Sequence, residues 1–335
     1  MSTKYTSYFM PTKFVLNLNN FVLSSNKKIS YISFMSFWNE YILKLKELEK
    51  LGASIFCIGK SVLNRPIFCV KIGDGKKKIL VQYAIHAREH ITFHLSFLQA
   101  KSLLKEKQPF SIFLIPLANP DGVCLAVDGL KSVDEANLDT NIKAHFSFLQ
   151  QSVPLSSFYL KKIKSELIKI NKSQDFSLWK ANILGVDLNV NFDAKWGTGK
   201  TNVFTPSSAN FVGKFPESEP ETKALANFTR AIRPHMTISY HSKGEVIFYK
   251  FGQRGKTLKK DKLIAQEISK ETGYKISYAR GSVGGFKDWC VQDLHIPSLT
   301  IEVGNNNLPH PLDKKELIKI YQQNKNVILK SLALL

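Results

Sequence analysis

The sequence contains few cysteines and no long apolar run, and these absences exclude several classes of protein. The four cysteines, Cys57, Cys69, Cys124 and Cys290, form no C-x-x-C pair, so neither a cysteine zinc knuckle nor a disulfide framework is indicated. No run of about 18 apolar residues occurs, and no membrane-spanning helix is expected. The first residues also lack an apolar core of signal-peptide length. This favours a cytoplasmic location, or a cell-wall or extracellular one if a leader is missing.

Arginine is scarce although the chain is strongly basic. Only six of the 47 basic residues are arginine, and the formal net charge is +20 at pH 7. A lysine-rich surface attracts polyanions in general, but no zinc-finger or RNA-recognition motif accompanies it, so nucleic acid is not expected as a partner. The apolar residues make up 44% of the 335 residues, which is ample for a packed core.

Apolar residues recur with the spacing of alternating strands and helices. Strand patterns cover residues 54–58, 66–72, 79–85, 111–117, 236–240 and 298–303. Helical patterns cover residues 33–51, 91–104 and 314–332. This alternation predicts an α/β fold with helices on both faces of the sheet.

The chain is expected to form a single domain with one extension and one insertion. Residues 1–30 show little periodicity and are interpreted as an N-terminal extension, and residues 31–335 as the domain. Between about 127 and 177 the pattern changes to lysine-rich helical segments. We interpret this segment as an insertion within the domain, because no linker separates it from the rest.

The clearest sign of a metal site follows the 79–85 strand pattern. His86 and Glu89 are three residues apart, so both side chains can point the same way in a turn. A third ligand from elsewhere would leave a fourth position for water, as in catalytic zinc sites. An alternative H-x-x-E-H pattern needs His86 and His90 in one helix, but the preceding residues have strand periodicity. His90 and His94 are therefore expected to pack within a helix or to support the ligands.

Two later strand patterns also carry polar residues where catalytic groups are expected. The 236–240 pattern is followed by His241, and the 298–303 pattern contains Glu302. Ligands of α/β enzymes collect at the carboxyl ends of strands, which makes His241 a candidate third ligand. Glu302 is costly to bury without a partner and could serve as a general acid/base. The alternative is that His241 is a core histidine and Glu302 a salt-bridged edge residue.

Taken together, the motifs of this chain resemble those of the zinc carboxypeptidase (carboxypeptidase A-like) family. Five of them occur in the family's order and approximate spacing, at residues 86–89, 119–122, 185–189, 241–242 and 301–304. The resemblance spans roughly residues 35–330 and implies a mixed central β-sheet and one zinc ion. The implied metal ligands are His86, Glu89 and His241. The resemblance also implies that Glu302 is the general acid/base and that Asn119 and Asn189 are substrate contacts.

The chain also departs from the family pattern at particular positions. Val190 stands where ordinary carboxypeptidases have an arginine that binds the substrate's terminal carboxylate, so cleavage of ordinary protein tails is not expected. Leu184 stands where many bacterial relatives have another arginine. Lys180 could supply positive charge for the oxyanion instead, as a point charge. Tyr278 is the nearest match to the family tyrosine that closes over the substrate.

The late motifs are similar to those of one subgroup, the bacterial γ-D-glutamyl-diaminopimelate peptidases. These motifs lie at residues 241–245 and 285–289. The resemblance implies hydrolysis of an amide bond in peptidoglycan stem peptides or muropeptides, with Lys243 and Arg280 as candidate contacts for acidic groups of the substrate. Three alternatives stay open: a cytosolic metallocarboxypeptidase of broader specificity, a non-catalytic wall-binding relative, and a polyanion-binding protein.

Overall fold

The computed structural model describes residues 36–132, 175–279 and 281–335. The predicted N-terminal extension, most of the predicted insertion and Arg280 lie outside these ranges. The helices are α1 (Phe37–Lys50), α2 (Ile91–Leu103), α3 (Pro120–Asp128), α4 (Pro220–Ile232), α5 (Gly255–Thr272), α6 (Phe286–Gln292), α7 (Leu317–Asn324) and α8 (Val327–Ala333). The strands are β1 (Ser54–Lys60), β2 (Pro66–Ile72), β3 (Lys78–Gln82), β4 (Ser111–Ile115), β5 (Met236–Ser242), β6 (Val246–Phe248), β7 (Lys275–Ser277) and β8 (Ser298–Val303).

The strands form one mixed eight-stranded sheet in the order β1-β2-β4-β3-β5-β8-β6-β7. Its centre is parallel: β4, β3, β5 and β8 run in the same direction. The edges are mixed, because β1 and β2 form an antiparallel pair and β6 runs antiparallel to β8. The carboxyl ends of β3, β5 and β8 therefore meet at one edge of the sheet, where ligands bind in open α/β sheets.

Helices cover both faces of the sheet, which confirms the predicted α/β architecture. Leu80 and Val81 are adjacent in β3 and belong to two different apolar clusters on opposite faces. The cluster around Val81 includes Tyr41 and Leu45 of α1. The cluster around Leu80 includes Trp289 of α6 together with residues of α4. Burial on both faces explains why the central strands are apolar along their whole length.

The six predicted strands are present: β2 and β8 have the predicted bounds, and the other four end at different residues. The helices differ more from the prediction. β3 ends at Gln82 instead of Ile85 because Ala84 adopts a left-handed φ of 49°, and the Ala84 backbone N–H donates to Thr92 Oγ1 at 2.9 Å. The prediction of one continuous helix over 314–332 is wrong: a 3₁₀ turn precedes α7, and α8 follows as a separate helix. The helical periodicity did not predict α3 to α6.

The four cysteines are free thiols, as the sequence predicted. Cys69, Cys124 and Cys290 are buried, and Cys57 is partly exposed. Across the three described ranges, no helix has both the length and the apolar character needed to cross a bilayer.

Candidate active site

The fold brings His86, Glu89 and His241 together although they come from distant parts of the chain. His86 and Glu89 follow β3, and His241 lies near the end of β5, which is the parallel neighbour of β3. His86 has an extended backbone (φ −93°, ψ 129°) and precedes a 3₁₀ turn at Ala87–Glu89. This turn brings the Glu89 carboxylate close to the His86 ring. The single-helix arrangement of the H-x-x-E-H alternative is not formed.

The three side chains form a tight, buried group of nitrogen and oxygen atoms. Their ligand atoms all lie within 4.8 Å of one another. Glu89 Oε1 lies 2.8 Å from His86 Nδ1, and Glu89 Oε2 lies 2.9 Å from His241 Nδ1. Two histidine nitrogens and one carboxylate oxygen are a donor set that catalytic zinc sites use. Among the described residues, no other set of His, Cys, Asp and Glu has this metal-binding geometry.

The protonation of the group suits a divalent cation. The two Nδ1 atoms face each other at 3.1 Å, so at most one of them can carry a hydrogen in that contact, and a shared cation would satisfy both. Burial opposes ionisation of Glu89, but His86 and His241 hold its pKa well below its usual range. Glu89 is therefore a carboxylate at neutral pH, as metal binding requires.

Asp187 lies next to this group and contacts both His86 and Lys180. Its Oδ1 lies 3.3 Å from His86 Nε2, and its Oδ2 accepts a 2.6 Å hydrogen bond from Lys180 Nζ. Asp187 is fully buried, and although burial opposes ionisation, Lys180 and His86 hold its pKa well below its usual range. A carboxylate on the second nitrogen of a ligating histidine selects its tautomer and orientation. Asp187 was not predicted as a site residue, although it lies within the 185–189 motif.

Glu302 lies beside His241 in the paired strands β5 and β8. Its pKa is raised to about 7, first by burial and then by the negative charge of Glu89, while His241 opposes the shift. A carboxyl group with this pKa can accept and return a proton near neutral pH. The position and the pKa of Glu302 both suit the acid/base role expected from the sequence.

A cleft of about 530 Å³ opens over these residues. His86, Glu89 and Glu302 line it. Its remaining polar lining is largely basic and consists of Arg88, Lys180, Lys243 and His310 together with Ser242 and Asn306. Lys180 and Lys243 were predicted from the sequence, whereas Arg88 and His310 were not. Arg88 could have been suspected from its place beside Glu89, but no local pattern marks His310.

The Asn119 side chain makes hydrogen bonds to three backbone groups. It is fully buried, and its side-chain Nδ2 donates to the carbonyl oxygens of Ile85 (3.1 Å) and Ala181 (3.0 Å). Its Oδ1 accepts from Gly122 N and caps α3. Asn119 therefore ties the segment before His86 to the segment that carries Lys180. Asn119 is not among the residues that line the cleft, and a substrate contact stays a prediction.

Two other predicted contacts do not line this cleft. Asn189 is partly exposed, and its Oδ1 accepts a 3.0 Å hydrogen bond from Phe286 N. Tyr278 is 51% exposed, and its ring lies 6.1 Å from that of Tyr249. Arg280, the remaining predicted contact, is not among the described residues.

Comparison with known proteins identifies the family. The sequence model described as zinc carboxypeptidase matches residues 39–327. The chain belongs to this family. It is 31% identical to γ-D-glutamyl-L-diamino acid endopeptidase 1 of Lysinibacillus sphaericus, over 88% of this chain and 72% of that protein. The zinc carboxypeptidase family consists of metallopeptidases, and the chain is a hydrolase of this class.

Solved structures share the same fold. Bovine thrombin-activatable fibrinolysis inhibitor, in complex with tick carboxypeptidase inhibitor, superimposes with a TM-score of 0.66 at 18% identity, over 89% of this chain and 96% of that one. Murein-tripeptide amidase MpaA of Escherichia coli O157 superimposes with a TM-score of 0.50, also at 18% identity, over 84% of this chain and 95% of that one. These likenesses establish the architecture of the mixed sheet.

Proposed function

We propose that the protein is a zinc-dependent peptidase that hydrolyses an amide bond in peptidoglycan stem peptides or muropeptides, of the γ-D-Glu-diaminopimelate or DL-carboxypeptidase type. The observation that carries the chemistry is the His86, Glu89 and His241 group beside Glu302 in a basic cleft. The substrate class is supported by the 31% identity to an endopeptidase named for γ-D-glutamyl-L-diamino acid bonds.

The three buried side chains would hold one zinc ion. His86 and His241 offer Nδ1, and Glu89 offers its carboxylate. When bound, zinc polarises the scissile carbonyl and acidifies a water molecule. Asp187 keeps His86 Nδ1 turned toward the group by facing the opposite ring nitrogen.

Glu302 and Lys180 supply the remaining chemistry from the cleft wall. Glu302 would take a proton from the attacking water and deliver it to the leaving amine, as a general base and then a general acid. Lys180 would stabilise negative charge that develops on the scissile carbonyl oxygen. Its hydrogen bond to Asp187 holds the ammonium group near the metal ligands.

The absence of an arginine at position 190 argues against ordinary protein tails as substrates. Val190 is 7% exposed and apolar, so it offers no hydrogen bond to a terminal carboxylate. Each charge-assisted hydrogen bond that a guanidinium makes is worth roughly 1.5–3 kcal/mol. A substrate recognised through other groups suits this site better.

Incubation with defined muropeptides tests the proposal. We expect mass spectrometry to show two product masses whose sum is the mass of the peptide plus one water, at the γ-D-glutamyl amide or the neighbouring diamino-acid bond. Protein prepared in parallel as Glu302→Gln controls for contaminating peptidases. Cleavage of ordinary protein tails with muropeptides untouched would overturn the proposed substrate.

A further inference from the structure

We propose that Lys243 and His310 form a carboxylate-binding wall that recognises the free α-carboxylate of the γ-linked glutamate on the acyl side of the scissile bond. This inference rests on the proposed function and adds a specificity determinant to it. The wall would make the enzyme select a free glutamate over its α-amide.

Two segments of the chain build this wall. The first segment carries Lys243 and Gly244 directly after His241 and Ser242, and the second runs from Gly304 to His310, after Glu302. Two hydrogen bonds join the segments: Lys243 Nζ donates to Asn306 O at 2.6 Å, and Gly244 N donates to Gly304 O at 2.8 Å. The wall is therefore held at a defined position relative to both the metal ligands and the general acid/base.

The positive charges that line the cleft favour an anionic ligand. Glu89 and Glu302, its two lining carboxylates, already have roles in metal binding and proton transfer. Within the described ranges, neither Lys243 nor Arg88 forms an ion pair, and both line the cleft. Lys243 gives one ammonium hydrogen to Asn306 O, so two remain for a ligand.

His310 supplies a second polar group on the same wall. His310 lines the cleft, and its Nδ1 is buried without a hydrogen-bond partner among the described residues. Burial lowers the pKa of His310 to about 4, so the ring is neutral at pH 7 and offers one donor and one acceptor. A carboxylate beside Lys243 could accept the donated hydrogen.

The position of the wall indicates which part of the substrate it meets. Neither Asn189 nor Val190 lines the cleft that contains Lys243 and His310. We place the acyl part of the substrate in this cleft, and the acid and amide peptides described next test that placement. In a γ-linked glutamate, the α-carboxylate lies on the acyl part and is separated from the scissile carbonyl carbon by three carbon atoms. An ordinary α-linked residue has no backbone carboxylate there.

A pair of substrates isolates this carboxylate. L-Alanyl-γ-D-glutamyl-meso-diaminopimelate carries the free acid, and its D-isoglutamine counterpart carries a neutral amide at the same place. We expect kcat/KM of the unmodified enzyme to be roughly tenfold or more higher for the acid, because a hydrogen-bonded charge is lost in the amide.

Substitutions then assign the preference to the wall. Lys243→Gln and His310→Gln should each lower the acid-to-amide ratio of kcat/KM severalfold toward one. Lys262→Gln makes the same charge change at an exposed residue of α5 and should keep the ratio of the unmodified enzyme. The ratio for the unmodified enzyme requires no variant, so it stands even if a substitution impairs folding.

The outcomes separate this inference from the proposed function. Equal cleavage of acid and amide, or an unchanged ratio in both Lys243→Gln and His310→Gln, overturns the carboxylate-binding wall and leaves the peptidase proposal in place. Failure to cleave either peptide, while another peptide class is hydrolysed, overturns both.

Discussion

At the scale of single residues, Asp187 contacts both a proposed metal ligand and the residue proposed to stabilise the oxyanion. One of its oxygens faces His86 and the other accepts from Lys180. The same carboxylate would therefore orient the proposed metal ligand His86 and position Lys180, the proposed cation for the oxyanion. Such partners of ligating histidines influence metal affinity strongly.

Replacing Asp187 by asparagine should weaken zinc binding. We expect the affinity to fall by about 10–100-fold, because the amide can present its N–H₂ group to His86 and lacks the negative charge. Competition with a zinc chelator measures this directly, without an activity assay. Asp193→Asn changes an exposed aspartate six residues away and serves as the matched control. Equal zinc affinities of the two variants would contradict the assigned role.

Replacing Glu302 by glutamine should remove turnover and keep the metal. General acid/base groups contribute about 10²–10⁴-fold to rate, so kcat should fall by that range, while elemental analysis should still find one zinc ion per chain. Glu49→Gln alters an exposed glutamate of α1 and should leave kcat unchanged. Full activity of the Glu302→Gln protein would exclude the acid/base assignment and with it the proposed mechanism.

At the scale of elements, α1 is stabilised by the face that packs on the sheet. Leu45 is fully buried in α1, whereas Leu43 on the same helix is 53% exposed. Ser36 caps the helix: its Oγ accepts from Asn39 N at 3.3 Å. The amphipathic pattern thus predicts which leucine matters for stability.

Truncating these two leucines tests the packing of α1. Leu45→Ala should lower the free energy of unfolding by about 2–5 kcal/mol, because it removes buried methyl groups and leaves a cavity. Leu43→Ala should change the free energy by less than about 0.5 kcal/mol. Denaturant titration of both variants gives the comparison, and equal destabilisation would show that the helix does not pack through this face.

The first turn of α4 contains a buried acid whose ionisation opposes folding. Burial raises the pKa of Glu221 to about 8, and the neighbouring Asp121 and Glu219 contribute. Its ordinary value is 4.5. The folded state therefore favours the protonated form, so the stability that Glu221 contributes is complete below pH 4.5 and is lost as the pH rises toward 8.

Glu221→Gln should consequently stabilise the protein at alkaline pH. The amide oxygen can still accept the 3.1 Å hydrogen bond from Val62 N, and no buried charge forms. We expect Tm to rise by a few degrees at pH 8.5, with little change at pH 4.5. Scanning calorimetry at both values checks this against Glu106→Gln, an exposed control. A gain that is independent of pH would contradict the ionisation argument.

At the scale of the whole molecule, the charge of +20 creates a field that extends beyond the cleft. Positive potential raises the encounter rate of anionic substrates, and salt screens it over a Debye length of about 8–10 Å. The basic lining of the cleft has the same sign as the molecule, so the general field and the local site act together.

Salt should therefore lower kcat/KM for acidic muropeptides severalfold between low and physiological ionic strength. The effect belongs to association, so kcat at saturating substrate should change little and provides the internal control. Steady-state kinetics over a sodium chloride series measures both constants. A kcat/KM that does not respond to salt would show that the net charge has no part in substrate capture.

Much of this organisation could be predicted before the structure. β2 and β8 have the bounds that their apolar runs indicated, because strand propensity and burial act locally along such runs. Short elements such as β6 and β7 contain three residues each, too few to establish a period. The helices α4 and α5 have many polar and charged residues, so the apolar periodicity of their sequences is weak. Their tertiary packing shows them more clearly than that periodicity does.

The residue types and their order along the chain were enough to predict the group of His86, Glu89 and His241 and the family, and the acid/base role of Glu302 stays a prediction. These features depend on chemistry that each side chain carries wherever it lies. Only the tertiary structure could decide which polar residues reach the cleft. His86 and His241 are 155 positions apart, and their meeting depends on the pairing of β3 with β5. The same long-range packing buries Asn119 beneath two loops and brings His310 to the cleft wall, because side-chain direction at loop positions follows from contacts that no local pattern records.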